Sequence, residues 1–262
     1  MILFFGDVHG SFKHVLPVVQ KYKPAAIILL GDMEAPESLE KLLTDVMKLT
    51  EVYWIPGNHD TGSKAVYDNL FDSALADRNL HGRVVEIDGF KVAGLGGIFR
   101  GEVWFPKHDT DVEPVFQNYT DCVNKLMDTD RWQEYRRMEK AGNKPDGLPS
   151  PRLIGKALTH KSSIFYDDYI NLYGQQADIL VSHEAPSCHP HGFVGIDALA
   201  QSMKVGRTFH GHHHDRLDYS SHNERLGFRA NGVGFRGVTD LNGQVIEQGK
   251  YDNERMYRNE KV

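Results

Sequence analysis

Three continuous apolar runs in the first quarter of the chain, residues 2–5, 25–30 and 52–55, each stop at a turn that delivers a metal-binding type of side chain: Gly6-Asp7, Gly31-Asp32 and Pro56-Gly57-Asn58. Runs this short and this uniformly apolar read as strands buried on both faces, the pattern of parallel strands in an α/β sheet. Helical periodicity fills the gaps. Ser11 is placed to cap a helix with Phe12, Val15, Leu16 and Val19 on its apolar face, and Leu39, Leu42, Leu43, Val46 and Met47 outline a second helix. Strand–turn–helix units repeated in this way align the strand ends, so polar groups distant in sequence converge at one sheet edge.

Past residue 80 the pattern changes. Residues 84–87 and 91–95 read as two strands around Asp88-Gly89, without a helix between them, and predict a second sheet. Residues 100–161 lose strand periodicity, hold prolines at 106, 114, 145, 149 and 151, and contain one helical stretch over about 119–140; they read as a partly helical insertion. A helix over about 163–174 and a strand at 179–181 bring the chain back to His183, and the glycine-rich tail, 209–246, is expected to complete the second sheet.

The candidate ligands run from residue 7 to residue 214, so no cut in the middle leaves a complete site and one domain is expected over residues 1–262. With 40% hydrophobic and 25% charged residues the composition is that of a globular protein. No stretch has the roughly 20 apolar residues that span a bilayer, and the apolar start at residues 1–5 lacks the basic flank of a signal peptide, which predicts a cytoplasmic protein without a membrane partner. Cys122 and Cys188 form no CxxC pair and read as two reduced thiols. A formal charge of −6 argues against broad charge-driven binding to nucleic acid. Histidine is the unusual component: fourteen are present, crowded at 183–191 and 208–222.

Five blocks carry the chemistry: Asp7-Val8-His9, Gly31-Asp32, Gly57-Asn58-His59-Asp60, His183 and Gly211-His212-His213-His214. Singly, each has a plain alternative, a polar turn or a hydrogen-bonded histidine at a strand end. Jointly they supply carboxylate, amide and imidazole donors without a thiolate, a set that suits manganese, iron or zinc better than calcium or magnesium. A pair of cations about 3.5 to 4 Å apart needs a shared carboxylate to offset their repulsion, and Asp32 is the candidate.

In identity and order these blocks resemble the calcineurin-like metallophosphoesterases, over residues 1–99 and 177–247. The resemblance implies a four-layer α/β/β/α sandwich with a dinuclear centre at the strand ends. It implies Asp7, His9, Asp32 and His214 around one metal and Asp32, Asn58, His183 and His212 around the other, with manganese the first choice. It further implies hydrolysis of phosphoric esters by a hydroxide between the two cations, with His59 protonating the leaving oxygen. One block departs from the family. Where the serine/threonine protein phosphatases of the family read Gly-Asp-x-x-Asp-Arg-Gly, with an acid that orients the histidine and an arginine that grips phosphate, this chain has Gly31-Asp32-Met33-Glu34-Ala35-Pro36. Glu34 is the nearest acid, in a different register.

Arg100 and His191 are candidate substrate contacts, each with a structural alternative: a salt bridge for Arg100, a surface or supporting role for His191 and its neighbours His189 and His210. Arg136, Arg137, Lys140 and Lys144, with Trp132 and Tyr135, could share a helix face toward phosphates, but Asp128, Asp130, Glu134 and Glu139 among them favour a solvated face. Trp104-Phe105-Pro106 fits a lid and a packing element equally. The sequence thus predicts a phosphatase or phosphodiesterase acting on a small or nucleotide-like substrate. A nuclease acting on DNA or RNA is the alternative, and a non-catalytic protein-binding scaffold, which would tend to lose ligands, is a third.

Overall fold

The computed structural model describes residues 1–126, 130–143, 152 and 154–252. Lys144, Asp128 and the prolines at 145, 149 and 151 lie outside the described residues. Two five-stranded sheets lie face to face. In the first, β1 (Ile2–Phe5), β2 (Ala26–Leu29) and β3 (Glu51–Trp54) run parallel in that order, and β9 (Val238–Asp240) and β10 (Val245–Glu247) extend it beyond β1. The second has the order β4 (Arg83–Ile87), β5 (Phe90–Leu95), β6 (Ile179–Ser182), β7 (Arg207–His210), β8 (Arg229–Gly232), parallel from β5 onward.

Side-chain alternation explains why β1 is apolar throughout: Ile2 and Phe4 point between the sheets, Leu3 and Phe5 toward helices. The inter-sheet core joins Phe4, Ile28 and Ile55 to Val92, Val181 and Phe209, and the Phe4 and Phe209 rings stack at 3.7 Å. Outside the first sheet lie α1 (Val15–Tyr22), α2 (Leu39–Leu42) and α3 (Lys64–Phe71); outside the second lie α7 (Tyr166–Leu172), α8 (Val194–Ser202) and α9 (Asn223–Leu226). The four-layer α/β/β/α arrangement expected from the sequence is the one observed. Among the described residues no helix is long and apolar enough to cross a membrane.

Several local expectations need correction. The first helix begins at Val15 rather than after Ser11; Pro17 then falls in its first turn, the position a proline tolerates. The second helix stops at Leu42, because the Thr44 hydroxyl takes the carbonyls of Glu40 and Lys41. The helical stretch at 119–140 is two helices, α4 (Tyr119–Leu126) and α5 (Asp130–Lys140), followed by the short α6 (Gly155–Thr159). The tail divides: β8 completes the second sheet, but β9 pairs antiparallel with β1, Leu3 opposite Asp240, so the last hairpin belongs to the first.

Candidate metal centre

Every predicted ligand follows the C-terminal end of a parallel strand: Asp7 and His9 after β1, Asp32 after β2, Asn58 after β3, His183 after β6, His212 and His214 after β7. The turns hold them in costly backbone conformations. His9, Asp32, His212 and His214 have φ between 41 and 68°, a left-handed region that non-glycine residues enter only where the surroundings enforce it. Glycine makes the close approach attainable. A Cβ on Gly31, itself at φ 104°, would run into the His183 imidazole, and one on Gly57 would run into the Asp32 carboxylate.

Among the described residues three groups of donors have their atoms within 4.8 Å of one another: His9, Glu34 and His59 at the rim, and two that share an aspartate, Asp7, His9, Asp32 and His214, and Asp32, His183 and His212. Asp32 belongs to both of the latter. Its Oδ2 lies 3.8 Å from His9 Nε2 and 3.4 Å from His183 Nε2, while its Oδ1 accepts the backbone N–H of His59 at 2.8 Å. Asn58 Oδ1 is 3.3 Å from His183 Nε2, which brings the amide to the group of His183 and His212. His183 Nδ1 donates to the Leu30 carbonyl at 2.8 Å, leaving Nε2 as the lone-pair nitrogen that faces Asp32.

The donors fit divalent cations. Asp7 Oδ1 is buried without a hydrogen-bond partner, a state that normally costs about 1–3 kcal/mol unless something else satisfies the atom. His9 Nε2 faces His214 Nε2 at 3.0 Å, and His214 Nε2 is 3.2 Å from Asp7 Oδ2. Burial works against a charge on Asp32, yet His183 and the His59 N–H hold its carboxyl well below the usual carboxylate range. Burial likewise opposes a charge on His183, but Asp32 and Asp7 push it up to about 10. His212 is pushed down to about 3 by burial and by His183. Asp32 and Asp7 thus draw positive charge toward His183 while burial keeps it off His212, and cations could supply that charge in place of the proton on His183.

His59 stands at the rim, its side chain 49% exposed, with its ring edge-on to His9 at 5.0 Å. Glu34, at φ 43°, lies between these two histidines: Oε2 accepts from His9 Nδ1 at 3.0 Å and Oε1 is 2.8 Å from His59 Nδ1. Asp60, fully buried, accepts the backbone N–H groups of Glu34 and Gly57, each at 2.8 Å. Burial, then the charge of Asp32, pushes its carboxyl up to about 7.

Arg100 and His191 are not among these donor groups. Arg100 Nε donates to Ser163 Oγ at 3.0 Å, and Ser163 Oγ is also 3.0 Å from His160 Nδ1. His191 is exposed, with its ring 5.6 Å from His189 and 5.9 Å from His213. His189 stacks on His213 at 3.9 Å, and His210 is buried beneath them. Trp104 is buried against Phe99, Tyr166 and Tyr169 and donates to the Val112 carbonyl at 2.9 Å, so it acts as packing.

Two supporting residues escaped the sequence reading. Arg236, at φ 58°, donates from Nε to the Val8 carbonyl at 3.0 Å and from Nη2 to the His9 carbonyl at 3.2 Å. The Phe235 ring lies 5.3 Å from His9 and 4.9 Å from His214. No motif marks either residue; the pairing of β9 with β1 brings them in.

Comparison with known proteins identifies the family. The family model for calcineurin-like phosphoesterases matches residues 1–216. An uncharacterised protein of Haemophilus influenzae is 37% identical over 255 residues, covering 97% of this chain and all of that protein. The crystal structure of TT1561 of Thermus thermophilus has the same fold, with a TM-score of 0.50 at 13% identity over 95% of this chain and 97% of that one. A dimetal phosphatase from Danio rerio aligns at a TM-score of 0.46 and 11% identity, over 96% and 97% of the two chains. On its sequence match and on the strand-end cluster of aspartates and histidines, the chain belongs to the calcineurin-like phosphoesterases.

Proposed function

We propose that the protein is a dinuclear metal-dependent phosphoric ester hydrolase, with a small or nucleotide-like ester as substrate. The observation that carries the reading is Asp32 Oδ2, which faces candidate ligands of both groups and could therefore be shared by two cations. Asp7, His9 and His214 would hold one cation and Asn58, His183 and His212 the other, with manganese first and iron or zinc compatible with the same donors. Two such cations supply Lewis acidity, activating water and offsetting charge on the phosphoryl oxygens. The chain's own contribution is placement and proton transfer. Buried Asp7 and Asp32 would hold the cations, the His183 Nδ1 bond to Leu30 fixes its tautomer, and exposed His59 would give a proton to the departing oxygen. A net charge of −6 weighs against a long nucleic acid, whose binding depends on many phosphate contacts.

After chelation and reloading with manganese, the protein is expected to hydrolyse a nitrophenyl monoester or nucleoside monophosphates and to leave a labelled oligonucleotide intact. Shortened oligonucleotide would favour the nuclease, turnover of bis-nitrophenyl phosphate alone would favour a diesterase, and no turnover of any ester would overturn the reading. His59→Ala should keep its metals and lose about 10²–10⁴-fold in kcat on esters with poor leaving groups.

A further inference from the structure

The phosphoesterase motif leaves a question at Glu34. The position three residues beyond Asp32, where some relatives carry the acid that orients the histidine, is here Ala35, and the arginine position is Pro36. Glu34 sits one step earlier, and a glutamate at that register reaches the site only if its backbone turns out of the ordinary regions. It does so, with φ 43°, directly after Asp32 at φ 47° and Met33. Its N–H is anchored on Asp60 Oδ1 at 2.8 Å, and Asp60 is itself fully buried with its other oxygen on Gly57 N–H. Asp60 thus ties the Glu34 turn to the loop that carries Asn58 and His59.

The carboxylate then meets two rings at once. Oε2 takes the Nδ1–H of His9 at 3.0 Å, and Oε1 lies 2.8 Å from Nδ1 of His59. The carboxylate accepts the Nδ1–H of His9 and holds Nδ1 of His59 at ion-pair distance, so Nε2 is the nitrogen each ring has left for another partner. For His9 that nitrogen faces Asp32 and His214. For His59 it is the one available to a substrate.

We propose that Glu34 is a two-sided positioning residue: one carboxylate sets the ring and tautomer of the ligand His9 and of the proton donor His59, and so links occupancy of the first cation site to placement of the proton donor. The inference rests on the phosphoesterase reading for its kinetic side only. Its structural side concerns metal affinity and ring position, which can be measured without turnover. The side chain is 36% exposed, so neither contact is needed to fill the core.

The test is Glu34→Gln, a change of charge at nearly constant shape. A glutamine can offer its oxygen to one ring and presents its NH2 to the other, which must then turn away or move its own proton to Nε2, so one carboxylate no longer holds both rings in the wild-type state. Manganese titration by calorimetry should show one of two sites weakened about 10-fold, the loss typical of removing a partner behind a ligating histidine, and the other unchanged. A crystal structure of the zinc-loaded variant should show either His9 or His59 rotated from its wild-type position. With wild-type turnover in hand, kcat should fall about 10-fold or more for an alkyl or ribose leaving group and less than about 2-fold for nitrophenolate, which departs without a proton, at nearly constant KM. Glu34→Asp, which keeps the charge and suits a positive φ, should restore one contact and part of the rate.

Unchanged affinity at both sites with both rings in place would overturn the proposal, as would equal losses of kcat on both leaving groups. Inactivity of the wild type toward every ester would overturn the phosphoesterase reading instead, with affinity and ring positions still deciding the role of Glu34.

Discussion

The site's behaviour is set first by single atoms. Asp32 Oδ2 has a ligand of each group on either side, so Asp32→Asn, which removes the charge and offers the site an amide, should cost the protein both metals. Elemental analysis of the purified variant should read near zero where the wild type reads two equivalents; equal contents would remove the bridge. At this scale the sequence was largely legible. Asp7, His9, Asp32, Asn58, His212 and His214 each sit in a short motif, because a candidate ligand at a strand end needs a particular turn and the turn leaves glycines beside it, Gly6, Gly31, Gly57 and Gly211, whereas His183 simply follows an apolar strand. Phe235 and Arg236 have no such mark. Their role depends on what lies across the sheet, which adjacent residues do not record.

Elements were readable where packing repeats along them. β1, β2 and β3 are buried on both faces and therefore apolar at every position but Glu51, and they stand where the runs predict them. Helix ends were less legible, since they turn on single competing hydrogen bonds such as those of the Thr44 hydroxyl. α8 is buried on most sides, with Gly195, Ile196, Asp197, Leu199 and Ala200 all buried, so its residues mark no single apolar face. The 3-10 turn His160–Ser162 carries a prediction of its own. Burial lowers the His160 pKa below 6.5, with Glu102 opposing. The unfolded chain therefore takes up the proton more readily than the folded one, so the associated stability is present above pH 6.5 and is lost as pH falls below it. Urea midpoints measured from pH 7 to pH 5 should fall more steeply for wild type than for His160→Gln; parallel curves would dissociate His160 from acid sensitivity.

For the whole molecule, the centre is a joint between sheets. Asp7, His9, Asp32 and Asn58 come from the first sheet and His183, His212 and His214 from the second, beside an inter-sheet core where Phe4 stacks on Phe209. Cations bound there favour the folded state over the unfolded one, so chelation should lower the thermal midpoint by about 5–10 °C and manganese should restore it. Asp32→Asn should show no such response to either treatment. A chelator-insensitive wild type would mean that the metals do not hold the sheets together.

The sequence by itself determined the apolar strands, the turns at their ends and the chemical identity of the donors, because each is a local consequence of residues next to one another. Only the tertiary structure decided that the last hairpin joins the first sheet, that Arg236 clamps the loop of His9, and that Glu34 lies between His9 and His59. Those contacts form between segments that meet only once the two sheets close on their shared core, and the preferences of neighbouring residues hold no record of that closure.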